Sequence, residues 1–180
     1  SRGDLIRKIN FPKYIIVIAG TVNALINLLF NMVVILLFIL ISGAEIQWWA
    51  IIIFPILLVE LYVFSLALAF FLAAVNVRYR DINHIWDIIL QGGFYASAIF
   101  YPLSLIAERS EKAAKIIVLN PVSQIIQDSR YLLVSTESLT ISNLYGSFVA
   151  YVLPIGIIGV ATILAVRQFK KRSPKFAEDI

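Results

Sequence analysis

Predominantly apolar stretches of a helix's length or more occur at four places, and nearly all the charge sits between them. The stretches are Tyr14–Ile41, Trp48–Val75, Ile85–Ile106 and Tyr145–Val166. Each reaches or exceeds the ~20 residues that a helix needs to cross a bilayer core. The pattern predicts an all-α, polytopic transmembrane helical bundle with four spans, and it leaves little mass outside the membrane for a soluble active site. Between the third and fourth stretches, Ala113–Leu119 and Val122–Val134 are amphipathic with helical period. They are too short to span comfortably and too apolar to float in water. Two short helices within residues 107–144, tucked against or dipping into the outer leaflet, are therefore predicted. Asn120-Pro121 separates them as a turn and helix start.

Composition strengthens this reading. The chain is 61% hydrophobic with a mean hydropathy of +0.90, against roughly 45–50% apolar residues in ordinary soluble domains. A soluble fold would need helices buried on every side, which so short a chain has no polar elements to cover. The formal charge of +4 is not a nucleic-acid footprint, because the bases flank the spans. Arg2, Arg7, Lys8 and Lys13 precede the first stretch, Arg78 and Arg80 follow the second, and Arg167, Lys170, Lys171, Arg172 and Lys175 follow the fourth. Arg109, Lys112, Lys115 and Arg130 are dispersed and mixed with acids, and the turn Ser42–Gln47 has no base. By the positive-inside rule both ends and the Asn76–His84 loop are cytoplasmic. Membrane lipids are thus partners and nucleic acid is not.

Polar residues inside the stretches are the candidates for function. Asn23, Asn27 and Asn31, at steps of four, draw a polar line down the first span. It serves either as helix–helix glue or as the wall of a conduit. Glu60 lies near the middle of the second span, where a charge in lipid would cost at least ~2.5 kcal/mol. It pairs across the bundle or couples to protons. The third stretch is interrupted by Gln91-Gly92-Gly93 and crowded with Phe94, Tyr95, Phe100 and Tyr101 before Pro102. It anchors at the headgroup belt, re-enters, or lines a pathway with rings. Ahead of all spans, Leu5, Ile6 and Ile9 share one face of a short helix with Arg7 and Lys8 turned away, capped by Asp4 and broken by Pro12. That predicts a surface helix within residues 1–13.

Little catalytic chemistry is available. There is no cysteine, and the single His84 cannot make a metal site, so no metal is expected. No Gly-rich phosphate loop is present, and Asp81 and Asp87 read as helix caps rather than an acid–base pair. The chain is expected to be no enzyme and to hold no cofactor. Its energy must come from a gradient or a partner.

Several segments in order resemble the membrane subunit of bacterial ABC exporters of cell-surface polysaccharides, the family that exports O-antigen and teichoic acid. Asp4-Leu5-Ile6-Arg7-Lys8-Ile9-Asn10-Phe11-Pro12 is similar to its Leu-Ile-x-Lys-x-x-Phe-Pro segment, and Val77-Arg78-Tyr79-Arg80-Asp81 to its Arg-Asp loop. Tyr101-Pro102, Asn120-Pro121 with Asp128-Ser129-Arg130, the charged Arg167–Lys171 end and the Phe176-Ala177-Glu178 tail follow suit. Ala98 departs, standing where many relatives carry proline. The family's first two spans are absent, and the chain opens on Ser-Arg-Gly. A fragment is expected, with six spans in the intact protein.

The resemblance implies a single type-2 permease domain over residues 1–180 that works as a half-transporter in the bacterial inner membrane. It would pair with a second copy and with separate ABC ATPase subunits that hold ATP and magnesium. Leu5, Ile6, Arg7, Lys8, Phe11 and Pro12 would be the coupling helix, with Arg80 and Asp81 in a cytoplasmic loop. The implied cargo is a lipid-diphosphate-linked glycan. Asn23, Asn27, Asn31, Phe94, Tyr95, Phe100 and Tyr101 are candidate pathway residues, since sugar C–H faces pack on rings. A drug or other lipid cargo, a proton-coupled carrier using Glu60, and a non-transporting anchor or sensor are the competing readings.

Overall fold

The computed structural model describes residues 13–44, 46–76 and 82–172, and every regular element among them is helical. Among the described residues, three helices are long and apolar enough to cross a membrane: Tyr14–Ile41, Ala50–Asn76 and Phe148–Lys171. The first belongs to α1 (Lys13–Ile41), the second is α2 (Ala50–Asn76), and the third joins a 3-10 turn (Phe148–Tyr151) to α8 (Val152–Arg172). The predicted coupling residues Leu5, Ile6, Arg7, Lys8, Phe11 and Pro12, and the loop residues Arg80 and Asp81, lie outside the described residues.

The expected single span over Ile85–Ile106 is divided. Helix α3 (Ile82–Ala96) has 15 residues and α4 (Leu103–Arg109) has 7, with an irregular segment between them. At a 1.5 Å rise, α3 reaches roughly 22 Å, short of the ~30 Å apolar core of a bilayer. Gln91-Gly92-Gly93, the expected interruption, is helical, and the break comes after Ala96. The last span also begins later than Tyr145. Gly146 adopts a left-handed φ of 65° that ends a helix, Ser147 is extended, and Pro154 then sits in the first turn of α8, where its missing N–H costs nothing. The basic Arg167, Lys170 and Lys171, expected in a tail, are part of that helix.

The short helices follow their sequence signals closely. Ser110 caps α5 (Glu111–Val118), its hydroxyl accepting from the Ala113 N–H at 3.3 Å. Asn120 caps α6 (Pro121–Leu133), accepting from Val122 N–H at 3.1 Å with Pro121 at the first position. Thr140 and Asn143 cap α7 (Ile141–Tyr145) reciprocally.

Helix α2 is the hub, packing on α1, α6 and α8. Small residues let α8 approach it: Ala67 and Ala74 of α2 and Ala165 of α8 are buried. Phe70 meets Phe169 edge-on at 4.9 Å, so the Asn76 end of α2 and the Arg172 end of α8 lie on one side. At the other end, the Gln47 N–H before α2 donates to the Leu132 carbonyl of α6 at 3.0 Å, and Trp49 meets Tyr131 at 6.0 Å. Ala50 and Leu57 close a core there with Ile125, Leu132 and Leu133. Helix α6 therefore lies along the first half of α2, between its middle and the Ser42–Trp49 turn. A second core joins Ala98, Leu103, Ala114, Val118 and Ile141, gathering the break, α4, α5 and α7 at that end.

Candidate functional site

The break between α3 and α4 is built by α6. Residues 97–102 leave the helical ladder, so their carbonyls need donors from elsewhere. Arg130, in the last turn of α6, supplies them: its guanidinium donates to the carbonyls of Ala98 (3.1 Å), Tyr101 (3.2 Å) and Ile99. Gln127 Nε2 reaches the Ala98 carbonyl at 3.5 Å. Ser97 Oγ donates to Gly93 O at 2.7 Å and accepts from Asn120 Nδ2 at 3.2 Å. One face of α6 thus holds the break from its low end at Asn120 to its high end at Arg130. Ala98 is fully buried with φ of 51°, a left-handed conformation that disfavours a side chain. The break forms here without proline.

The aromatic candidates converge on this break. Phe94 packs edge-on to Phe100 at 4.4 Å and to Tyr95 at 5.9 Å. Tyr101 folds back so that its hydroxyl donates to the Tyr95 carbonyl at 2.7 Å. Tyr95 and Phe100 remain 68% and 73% exposed, so their rings are the ones free to meet a ligand. Leu90, Gln91, Phe94 and Tyr95 line an open groove of ≈480 Å³. Asn23, Asn27 and Asn31 are exposed on α1, and Asn31 Nδ2 donates to its own helix at Asn27 O, 2.9 Å away. The asparagines and the aromatic cluster do not form one site.

Glu60 faces α6. Its carboxyl lies within reach of Gln124 and close enough to Asp128 to feel its charge. Gln124 Nε2 donates to Asp128 Oδ2 at 2.7 Å, and the Tyr151 hydroxyl donates to Asp128 Oδ1 at 3.0 Å. Burial pushes the Asp128 carboxyl up to about 6, against the pull of those two hydrogen bonds. Glu60 therefore faces α6 across the bundle, with Gln124 and Asp128 as its polar neighbours. Gln124 and Tyr151 escape a reading of sequence alone. A signal for the first exists in hindsight, since Gln124 and Asp128 stand four apart on an amphipathic helix.

At the exposed tip between α4 and α5, Lys115 Nζ sits 2.5 Å from Glu111 Oε1 and 5.7 Å from the Tyr145 ring centre. The ammonium holds the Glu111 carboxyl below its ordinary range. Among the described residues no group of three or more metal-binding side chains occurs.

Comparison with known proteins identifies the family. The chain is 33% identical over 123 residues to the O-antigen export system permease protein RfbA of Myxococcus xanthus, covering 67% of this chain and 46% of that protein. It is 23% identical over 181 residues to the protein of the same name from Klebsiella pneumoniae, covering 99% of this chain and 64% of the relative. The chain thus spans about half to two thirds of the length of these relatives. No solved structure matches it. Residues 2–134 match the ABC-2 type transporter family, and with three apolar helices of spanning length the chain belongs to that family of multi-pass membrane proteins.

Proposed function

We propose that the intact protein is the membrane subunit of an ATP-driven exporter that moves a lipid-diphosphate-linked polysaccharide across the bacterial inner membrane. Family membership supports a transport subunit rather than a catalyst, and it implies an ABC ATPase partner, on which ATP and magnesium would be held. The glycan cargo is carried by one observation: Tyr95 and Phe100 are exposed at an enforced helix break, in a chain whose relatives are named for O-antigen export. Sugar rings present C–H faces that stack on such side chains while their hydroxyls stay hydrated. A second copy would face these rings to complete a conduit.

Charge supports one orientation. Phe70 and Phe169 bring the ends of α2 and α8 together, which supports grouping Arg78 and Arg80 with Arg167, Lys170 and Lys171 on the cytoplasmic side. On that side Leu5–Pro12 would dock on the ATPase. The tip at Glu111 would then lie outside.

The test is reconstitution of the intact protein with its ATPase in vesicles, with glycan-lipid translocation as the readout. Tyr95→Ala and Phe100→Ala are expected to lower translocation severalfold at unchanged protein level, and Tyr95→Trp to keep most of it. Equal losses for alanine and tryptophan would remove the stacking role. ATPase stimulation by a glycan-free lipid alone would favour the other-lipid cargo instead.

A further inference from the structure

The contact between α2 and α6 is one hydrogen short. Both oxygens of Asp128 accept a hydrogen bond, from Gln124 Nε2 and from the Tyr151 hydroxyl. Gln124, 1% exposed, is also within reach of the Glu60 carboxyl. Yet Glu60 Oε1 and Gln124 Oε1 are shut off from solvent with no hydrogen-bond partner. Buried acceptors left unmatched are costly and rare. Ser123 Oγ is also unmatched, but it lies one residue along α6, turned roughly 100° away.

Turning the Gln124 amide over offers no remedy with both carboxyls ionised, since its oxygen would then confront Asp128. A single proton does. A carboxylic acid on Glu60 has one O–H to give, and Gln124 Oε1 is the acceptor left over. We propose that Glu60, Gln124 and Asp128 form a buried proton-binding site, in which one proton on Glu60 ties α2 to α6. With the amide reversed, the same proton can sit on Asp128 while Gln124 donates to Glu60. The Tyr151 hydroxyl on Asp128 keeps the negative charge there and so the proton on Glu60. Gln124 is a two-position relay between the carboxyls.

Among the described residues, the surroundings bring no cation to neutralise the pair. From α2 the site receives Glu60, from α6 Asp128, and from the 3-10 turn Tyr151. Arg130, on the same helix as Asp128, has its guanidinium committed to the carbonyls of residues 98, 99 and 101. Lys115 of α5 is engaged with Glu111. The part of α8 from Val152 to Val166 carries no ionisable side chain. When the proton leaves to water, two carboxylates face each other across the α2–α6 contact and repel.

Neither readout of the test needs cargo or ATPase, so it can fail independently of the transport reading. The intact protein in detergent is examined by infrared spectroscopy near neutral pH and by thermal unfolding as pH is raised. The expected result is one protonated-carboxyl band in the wild type that Glu60→Gln abolishes. The unfolding midpoint of the wild type should fall by several degrees on going alkaline, while that of Glu60→Gln, whose amide supplies the missing donor permanently, stays flat. A wild type without the band would overturn the site, whatever the variant does. So would a band that survives Glu60→Gln, or a midpoint that follows sodium concentration at fixed pH.

Discussion

At the scale of single residues, Arg130 and Asp128 carry the heaviest obligations. Arg130 satisfies three carbonyls in a segment that has no ladder of its own. Arg130→Ala should cost on the order of 3 kcal/mol, because it strands acceptors that water reaches poorly. Arg130→Lys should rescue little, since a point-like ammonium cannot span three carbonyls as a planar fork does. Thermal unfolding together with protease sensitivity at residues 97–102 measures both. Asp128 sets a pH dependence. Its carboxyl rises from 3.8 unfolded to about 6 folded. The folded state therefore binds more protons in that interval, and stability falls as pH climbs from about 4 to about 6. Asp128→Asn should flatten the unfolding midpoint across that window. A midpoint that rises with pH there, in the wild type, would contradict the burial of this group.

At the scale of elements, the decisive feature is a helix that stops where hydropathy says it should continue. Ala98 holds a left-handed backbone with a methyl group on it. Ala98→Gly should stabilise the break by about 1 kcal/mol, raising the unfolding midpoint by a few degrees. The three long helices were legible from apolar run length alone, because lipid imposes length and composition together. The short helices were legible too, since Asn120-Pro121 and the amphipathic pieces around it are local signals. The break was not. Gly92 and Gly93 look like the weak point, but glycine inside a helix costs only ~1 kcal/mol. Rupture at residues 97–102 depends on donors from Arg130 and Gln127, some thirty positions away. The aromatic cluster was visible as composition, yet which rings stay free was not. That Tyr101 turns its hydroxyl onto Tyr95 is a consequence of the break itself.

At the scale of the whole molecule, the coupling segment offers the sharpest test of the transport reading. Arg7→Glu with Lys8→Glu should leave membrane insertion intact but separate ATP hydrolysis from export, because reversed charge opposes docking on a partner's cleft. Equal hydrolysis and equal export in the reconstituted complex would dismiss the segment as a coupling element. The backbone bond from Gln47 to Leu132, with Trp49 against Tyr131, has a mechanical meaning as well. It ties the far end of α6 to the hairpin of α1 and α2 at the very turn that joins them. On the transport reading, sliding that helix past its neighbour would break both the bond and the ring contact. A swing of hairpin and helix as one arm, with bending at residues 97–102 and the Gly146 corner, would keep both contacts. Since the chain has no cysteine, a disulfide engineered between Gln47→Cys and Leu132→Cys can be formed cleanly. Such a staple should leave the working cycle at nearly full speed, as a rivet through a lever leaves its stroke unchanged.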